Sequence, residues 1–398
     1  MGKIKIGILP NIFLRDDDTF DLQKALNLSG QIAGVCYDPE GFNHIKNEIQ
    51  EKTNHRIETT LDSGHHSVYD HIFINFDMQN IPKILAMILN NEKQYTTSEK
   101  SARYTTVKKK DNEIITENEE RLYNKWLQIF KIKIKNEYGN IYDDIKIKKL
   151  AQENARYLIS VFMPTHMIYT TSLRQINYIA SWIEKYILNT KITNQFEIEL
   201  IHFMKKFVYE LEKLNVLDDR LMQNEKKRSI SLFGKNLESK QEIFSDIYQT
   251  TYKGTFVQFA QIQRHRTLDY KLELLKEKEY FIPPILLDDQ TLVDEWYNDI
   301  NLVKDINPQG ELVRICETGS YDNFILKCKE RLCSEAQLET MMQTKETLLK
   351  YKKALEDSNH PLKEDIKLYS KGARCTFPGY KCTRDCQNKE GKLLIRKI

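Results

Sequence analysis

Three stretches of this chain carry side chains able to hold and polarise an anion. The first is Gln261-Ile262-Gln263-Arg264-His265-Arg266, in which two guanidinium groups flank an imidazole and a glutamine stands three residues before the first arginine. Buried cations are costly unless something anionic meets them. Arginine suits phosphate because its planar fork donates two parallel hydrogen bonds. The nearby carboxylates of Asp269 and Glu273 allow an internal ion pair as an equally direct reading of the tripeptide. The second stretch is Glu99-Lys100-Ser101-Ala102-Arg103-Tyr104, an acid, a hydroxyl and an arginine that on their own also fit a surface helix. The third is Gly64-His65-His66-Ser67-Val68-Tyr69-Asp70-His71. It reads either as a metal site with His65, His66 and His71 as ligands or as a ligand-contacting turn before a strand. Arg156, Arg174 and Arg331 complete the set of candidate anion binders; each also has an ordinary ion-pair reading, Arg331 with Glu330 or Glu335 on a helix surface.

Composition narrows the chemistry. The 398 residues are enough for two or three domains. They are 40% apolar and 29% charged, as in soluble globular proteins. A net charge of +3 gives no bulk electrostatic case for nucleic acid. No apolar run is long enough to span a bilayer, and the first residues lack the apolar core of a signal peptide. Seven scattered cysteines favour a reducing compartment over a disulfide framework. The expected location is the cytoplasm. Cys375, Cys382 and Cys386 are close enough to share a metal, with His360 as a further candidate ligand, but three thiols lack the fourth ligand of a structural zinc site; no metal is assigned.

These residues need a frame. Ile4–Leu9 and Ile72–Met78 alternate as strands do. A helix is expected from Asn80 through Leu89, with a polar continuation over Thr96–Tyr104. Leu122–Glu137 reads as an amphipathic helix with Trp126, Phe130 and Ile134 on one side. Thr170–Arg174 caps a helix through Ile187, and Asn194 caps another through Leu214. Phe256–Ala260 reads as part of a buried helix, Tyr280–Pro284 as an extended segment, and Asp322–Met342 as one long helix carrying Arg331 and Glu339. The polar stretch from Leu217 to Arg228 marks the join of two halves, 1–220 and 228–398.

Gly64-His65-His66-Ser67 with Asp70-His71 and a following strand resembles the opening motif of the flavin-dependent thymidylate synthases. Gln261 with Arg264-His265-Arg266 resembles that family's signature core, and Glu99, Ser101, Arg103 and Tyr104 its second part. Asn154-Ala155-Arg156, Ser172-Leu173-Arg174 and Arg331 with Gln337 and Glu339 are similar to its later arginine motifs. In the family the two parts of the signature are contiguous. Here they stand far apart, which fits two diverged copies in tandem with complementary losses. The Arg-His-Arg positions of the first copy fall near Asn90 to Lys93, and its late arginine near Ile183. Departures include Ser172 for asparagine, Glu335 for histidine and the altered Asp269.

The resemblance implies an α+β chain of two related halves, each with helices packed on an antiparallel sheet, and a fused homodimer where the family is tetrameric. It implies reductive methylation of dUMP to dTMP at a site composed from both copies. Methylenetetrahydrofolate would give the carbon, reduced FAD the hydride, and NADPH would reduce the flavin. Ser101, Arg103, Arg156, Gln261, Arg264 and Arg331 would bind dUMP, with Arg331 as the catalytic residue. His65, Ser67, Glu99, Arg174, Arg264, His265 and Arg266 would line the flavin. The rivals are a non-catalytic nucleotide- or flavin-binding relative and a flavin-dependent methylation of another pyrimidine. No membrane or stable nucleic-acid partner is expected.

Overall fold

The computed structural model describes residues 3–100, 116–223, 228–383 and 386–398. Its strands, in chain order, are β1 (Lys5–Ile8), β2 (Phe73–Pro82), β3 (Thr96–Glu99), β4 (Pro164–Ser172), β5 (Ile243–Phe244), β6 (Ile247–Thr255), β7 (Asp269–Leu274) and β8 (Leu312–Ser320). The longer or site-bearing helices are α1 (Leu22–Gly34), α2 (Gln50–Asp62), α3 (Lys83–Leu89), α4 (Glu117–Tyr138), α5 (Asp144–Ala155), α6 (Leu173–Asn189), α7 (Gln195–Lys213), α8 (Phe256–Ile262), α9 (Gln290–Asn301), α10 (Tyr321–Arg331) and α11 (Leu338–Asp357). The chain divides into two compact units, 1–100 with 162–231, and 101–161 with 232–398.

In the first unit an antiparallel sheet runs β1-β2-β4-β3. Its buried face carries Ile74, Phe76 and Met78 from alternate positions of β2, as a half-buried strand requires. Strand β2 leads directly into α3, all of whose residues from Ile84 to Leu89 are buried. The expected helix start at Asn80 is wrong: Asn80 has a φ of 57° at an irregularity in the β2–β4 pairing, and the strand resumes through Pro82. The polar continuation is also not helical where it is described. Thr96 and Thr97 are β-prone, and Thr96–Glu99 pair with β4 at Thr170 to Met167. Helix α6 starts at Ser172, whose hydroxyl accepts from the Gln175 N–H, and α7 starts at Asn194 in the same way.

The second unit holds an antiparallel sheet in the order β5-β6-β8-β7. Strand β6 leads directly into α8, capped by Thr255, and β8 leads into α10, capped by Ser320. Helix α4 opens on a capping box between Thr116 and Glu119. Trp126, Phe130 and Ile134 are buried on one of its faces, Trp126 edge-on to Trp296 of α9 at 4.8 Å. The long helix expected over Asp322–Met342 is broken after Arg331, and α11 begins only at Leu338. The cause is the tail. The Arg374 N–H donates to the Leu332 carbonyl (2.7 Å), and Arg396 donates to the Ala336 carbonyl, so backbone acceptors at the break are satisfied from outside the helix.

Candidate functional site

The first unit positions His65, Ser67, Glu99 and Arg174. His65 and Ser67 are exposed at the turn between α2 and β2. His66 is a core histidine: its Nδ1 lies 3.0 Å from the Tyr178 hydroxyl and its Nε2 3.0 Å from the Leu61 carbonyl oxygen. That engagement removes it from the metal reading, and among the described residues no three His, Cys, Asp or Glu side chains are disposed to hold an ion. Arg174, in the first turn of α6, is ion-paired with Asp70 and lies over the Tyr178 ring at 5.6 Å. Asp70 also accepts from the Ser172 hydroxyl at 2.5 Å. The carboxylate therefore ties the histidine-serine turn to the start of α6. The Nε of Arg174 is buried and lacks a hydrogen-bond partner. Glu99 is already engaged, ion-paired with Lys83 and accepting from Thr165 at 3.1 Å, with its side chain almost wholly buried. Ser101 and Arg103 lie outside the described residues.

The second unit positions Arg156, Gln261, Arg264, His265, Arg266 and Arg331. Helix α8 ends at Ile262, and the next residues turn sharply, the His265 N–H donating to the Ile262 carbonyl at 3.0 Å. The turn leaves Arg264 and Arg266 exposed and His265 buried between them. Burial pushes the His265 pKa down to about 2, and the charges of Arg331 and Lys327 add to the effect. The imidazole is therefore uncharged. Its Nε2 lies 3.3 Å from a Glu330 carboxylate oxygen without hydrogen-bond geometry, and because the ring is uncharged the contact is not an ion pair. Arg331, the last residue of α10, reaches α8 and donates to the Gln261 carbonyl at 3.3 Å. It also lies 3.9 Å from Glu330, the helix-surface pair its sequence allowed.

Arg156 is buried in the turn after α5, within the same unit as the Arg-His-Arg stretch. Its neighbour Tyr157 connects the two regions. The Tyr157 hydroxyl donates to Glu339 (3.1 Å) and accepts from the Gln337 amide (3.2 Å). Glu339 also accepts from the N–H and the hydroxyl of Thr255, the cap of α8, at 2.8 and 2.7 Å. Burial raises the Glu339 pKa to about 7, against the opposing effect of those donors. The sequence analysis quoted Glu339 beside Arg331 but gave it no role. Asp70 lay in a quoted motif without an assigned partner, and nothing in the sequence pointed to Lys83 as the partner of Glu99.

Arg174 Nε and His265 Nε2 are buried polar atoms without hydrogen-bond partners, and buried donors are costly to leave so. Exposed guanidinium groups at Arg264 and Arg266 suit a pyrophosphate.

Comparison with known proteins gives three findings. A family model described as thymidylate synthase complementing protein matches residues 21–211, just under half of the chain. No curated protein matches. Among solved structures, thymidylate synthase X from Helicobacter pylori with FAD and dUMP is 15% identical, with a TM-score of 0.32, covering 55% of this chain and 99% of that one. The UMP/dUMP methylase PolB from Streptomyces cacaoi bound with 5-Br dUMP is 14% identical, with a TM-score of 0.33, covering 56% and 94%. Scores this low carry no argument about this chain. The family match holds every site residue assigned to the first half, whereas Gln261, the Arg-His-Arg stretch and Arg331 lie beyond it.

Proposed function

We propose, from the likeness of residues 21–211 to the thymidylate synthase complementing protein family, that this chain is a flavin-dependent thymidylate synthase that methylates dUMP to dTMP. Methylenetetrahydrofolate is the carbon donor and NADPH the reductant. The observation that carries the reading is the cation cluster of the second unit: Arg331 anchored on Gln261, beside an uncharged buried His265 with Arg264 and Arg266 at its rim. Bound flavin supplies the hydride.

The protein's own part is binding, orientation and charge stabilisation. Arg156, Arg264 and Arg331, with Gln261, Ser101 and Arg103, bind the phosphate and base of dUMP. Arg331 stabilises negative charge developing on the pyrimidine. His65, Ser67, Glu99, Arg174, Arg264, His265 and Arg266 contact the flavin, and Asp70 holds Arg174 in place. A neutral His265 can donate from one ring nitrogen without adding charge beside the arginines. The chain descends from two fused copies and acts as a homodimer. The duplication reading is supported by the matching strand orders, β1-β2-β4-β3 and β5-β6-β8-β7, and by the seven-residue helices that follow β2 and β6.

One observation favours the rival, a nucleotide-binding relative without catalysis. The Glu99 carboxylate is closed off by Lys83 and Thr165. Purified protein supplied with FAD, dUMP, methylenetetrahydrofolate and NADPH separates the readings. Formation of dTMP is expected. A chain that binds FAD and dUMP yet makes no dTMP is the rival, and methylation of a different pyrimidine in preference to dUMP rejects the substrate assignment.

A further inference from the structure

A buried carboxylate of the second unit joins two of the segments that carry its assigned arginines. Glu339 stands in the first turn of α11, where a helix favours negative charge. Its Oε1 accepts the Thr255 N–H at 2.8 Å, and its Oε2 accepts the Thr255 hydroxyl at 2.7 Å and the Tyr157 hydroxyl at 3.1 Å. All three partners donate, so the position is built for a group that only accepts. Each partner leads to an assigned residue. Thr255 caps α8, whose seven residues run to the Gln261–Arg266 stretch. Tyr157 follows Arg156 directly. The Arg156 turn is also held from its other side: the Gly310 N–H donates to the Tyr157 carbonyl at 2.8 Å, and a Cβ at Gly310 would lie 2.8 Å from that of Tyr157. The far end of α8 is gripped by Arg331, on the Gln261 carbonyl at 3.3 Å. The helix is thus fixed at its start by Glu339 and at its end by Arg331, which stand on either side of the break between α10 and α11.

We infer that Glu339 is a positioning residue for the nucleotide phosphate: through Thr255 and Tyr157 its carboxylate sets the spacing between the arginines after α8 and Arg156. The inference rests on the dUMP assignment of Arg156 and Arg264 made above. Several guanidinium groups hold one phosphate well only when each stands at hydrogen-bonding distance, and a misplacement of about 1 Å can cost 100-fold. Arg156 and Arg264 are more than a hundred residues apart in the chain, so no local geometry fixes their separation. The shared carboxylate does. Glu339 itself touches neither substrate nor flavin; it acts through the segments it joins. Alanine in its place leaves three buried donors unsatisfied. Glutamine keeps one accepting oxygen for the Thr255 N–H and turns its amide to the two hydroxyls, each of which can reverse and accept. The Tyr157 hydroxyl already accepts the Gln337 amide at 3.2 Å, so that reversal is incomplete and glutamine restores only part of the spacing.

The test compares full-length wild type, Glu339→Ala, Glu339→Gln, Tyr157→Phe and Leu348→Ala, each supplied with FAD. It reads dUMP affinity by calorimetry and the split between KM for dUMP and kcat. Tyr157→Phe should weaken dUMP binding and raise KM roughly 10-fold, and Glu339→Ala roughly 100-fold, with kcat changed far less. Glu339→Gln should recover part of the loss. Leu348→Ala removes core packing elsewhere in α11; it should lower stability and leave dUMP affinity unchanged. Where Glu339→Ala does not fold, Tyr157→Phe decides, since it removes one hydroxyl and keeps the ring. Unchanged dUMP affinity in Tyr157→Phe, a loss confined to kcat, or an equal loss in Leu348→Ala overturns the positioning role and leaves the proposed function standing. A wild-type chain that binds no dUMP rejects that function, and the role with it.

Discussion

The turn after α3 and the turn after α8 occupy the same place in two sheets of the same strand order, and they differ in charge. Thr96 of β3 pairs with Thr170, two residues before the helix cap Ser172; Asp269 of β7 pairs with Thr318, two residues before the cap Ser320. Three residues back from these register points stand Lys93 and Arg266. Asn91-Glu92-Lys93 therefore matches Arg264-His265-Arg266. In the first unit the central residue is a buried carboxylate, closed by Arg228 and by the Ser231 N–H at 2.5 Å, with the Arg228 guanidinium 3.4 Å from the Trp182 ring centre. In the second it is a buried neutral imidazole between exposed arginines. One turn encloses a carboxylate held by a cation of its own unit; the other buries a neutral imidazole between two exposed arginines.

A second pair of matched positions tells a similar story in the core. Tyr169 and Ile179 of the first unit correspond to Glu317 and Lys327 of the second. Tyr169 stacks on Tyr95 at 5.5 Å. Lys327 and Glu317 form an ion pair at 2.6 Å with both side chains fully buried, and Tyr248 and Tyr252 donate to the same carboxylate at 2.7 and 2.9 Å. The largest expected effect follows. Lys327→Met leaves a buried charge uncompensated and should cost about 3–5 kcal/mol in denaturant unfolding, against about 1 kcal/mol for Ile179→Val at the matched site.

Activity should divide the units next. Arg331→Ala is expected to lower the rate of dTMP formation by roughly 100- to 1,000-fold, the usual effect of losing one donor to developing charge. Its counterpart Ile183→Ala should lower stability and leave the rate per folded molecule unchanged. A smaller loss, about 2 kcal/mol, is expected for Arg228→Met, since Glu92 loses its cation but keeps the Ser231 N–H; dTMP formation by the folded fraction should persist. If that variant is as inactive as Arg331→Ala, the distinction between a closed turn and an open one fails.

The smallest effect is on pH dependence. Glu339 has a folded pKa of about 7 against the ordinary 4.5. The folded state therefore binds the extra proton in that window, and stability falls as pH rises through it, by at most about 1.4 kcal/mol per pH unit. His265 acts with the opposite sign. Its folded pKa of about 2 lies below 6.5, so the unfolded state binds the extra proton and stability falls as pH drops below 6.5. The two slopes cancel between about 4.5 and 6.5. His265→Gln should unmask the Glu339 slope in a stability–pH curve, and adding Glu339→Gln should flatten it.

Local signals were legible where chemistry and periodicity agreed. Ser172, Asn194 and the buried stripe of α4 stand where their patterns put them, because caps and apolar faces are decided within a few residues. The motifs around Arg174, His265 and Arg331 were likewise visible as residue types. What escaped depends on distant partners. Thr96–Glu99 is a strand because β4 lies beside it. The break after Arg331 exists because a segment some forty residues on takes the Leu332 carbonyl. The Lys83 partner of Glu99 was hidden for the same reason.

The central claim is that this chain builds the methyl group of dTMP and does so through Arg331. It is tested most directly by supplying dUMP, FAD, NADPH and methylenetetrahydrofolate labelled at the methylene carbon to the wild-type chain and to Arg331→Ala. The account predicts label in the C5 methyl group of dTMP for the wild type and roughly 100-fold less, or none, for the variant. Wild-type protein that binds dUMP and flavin but leaves the label in the folate, or a variant that transfers it at the wild-type rate, would contradict the account.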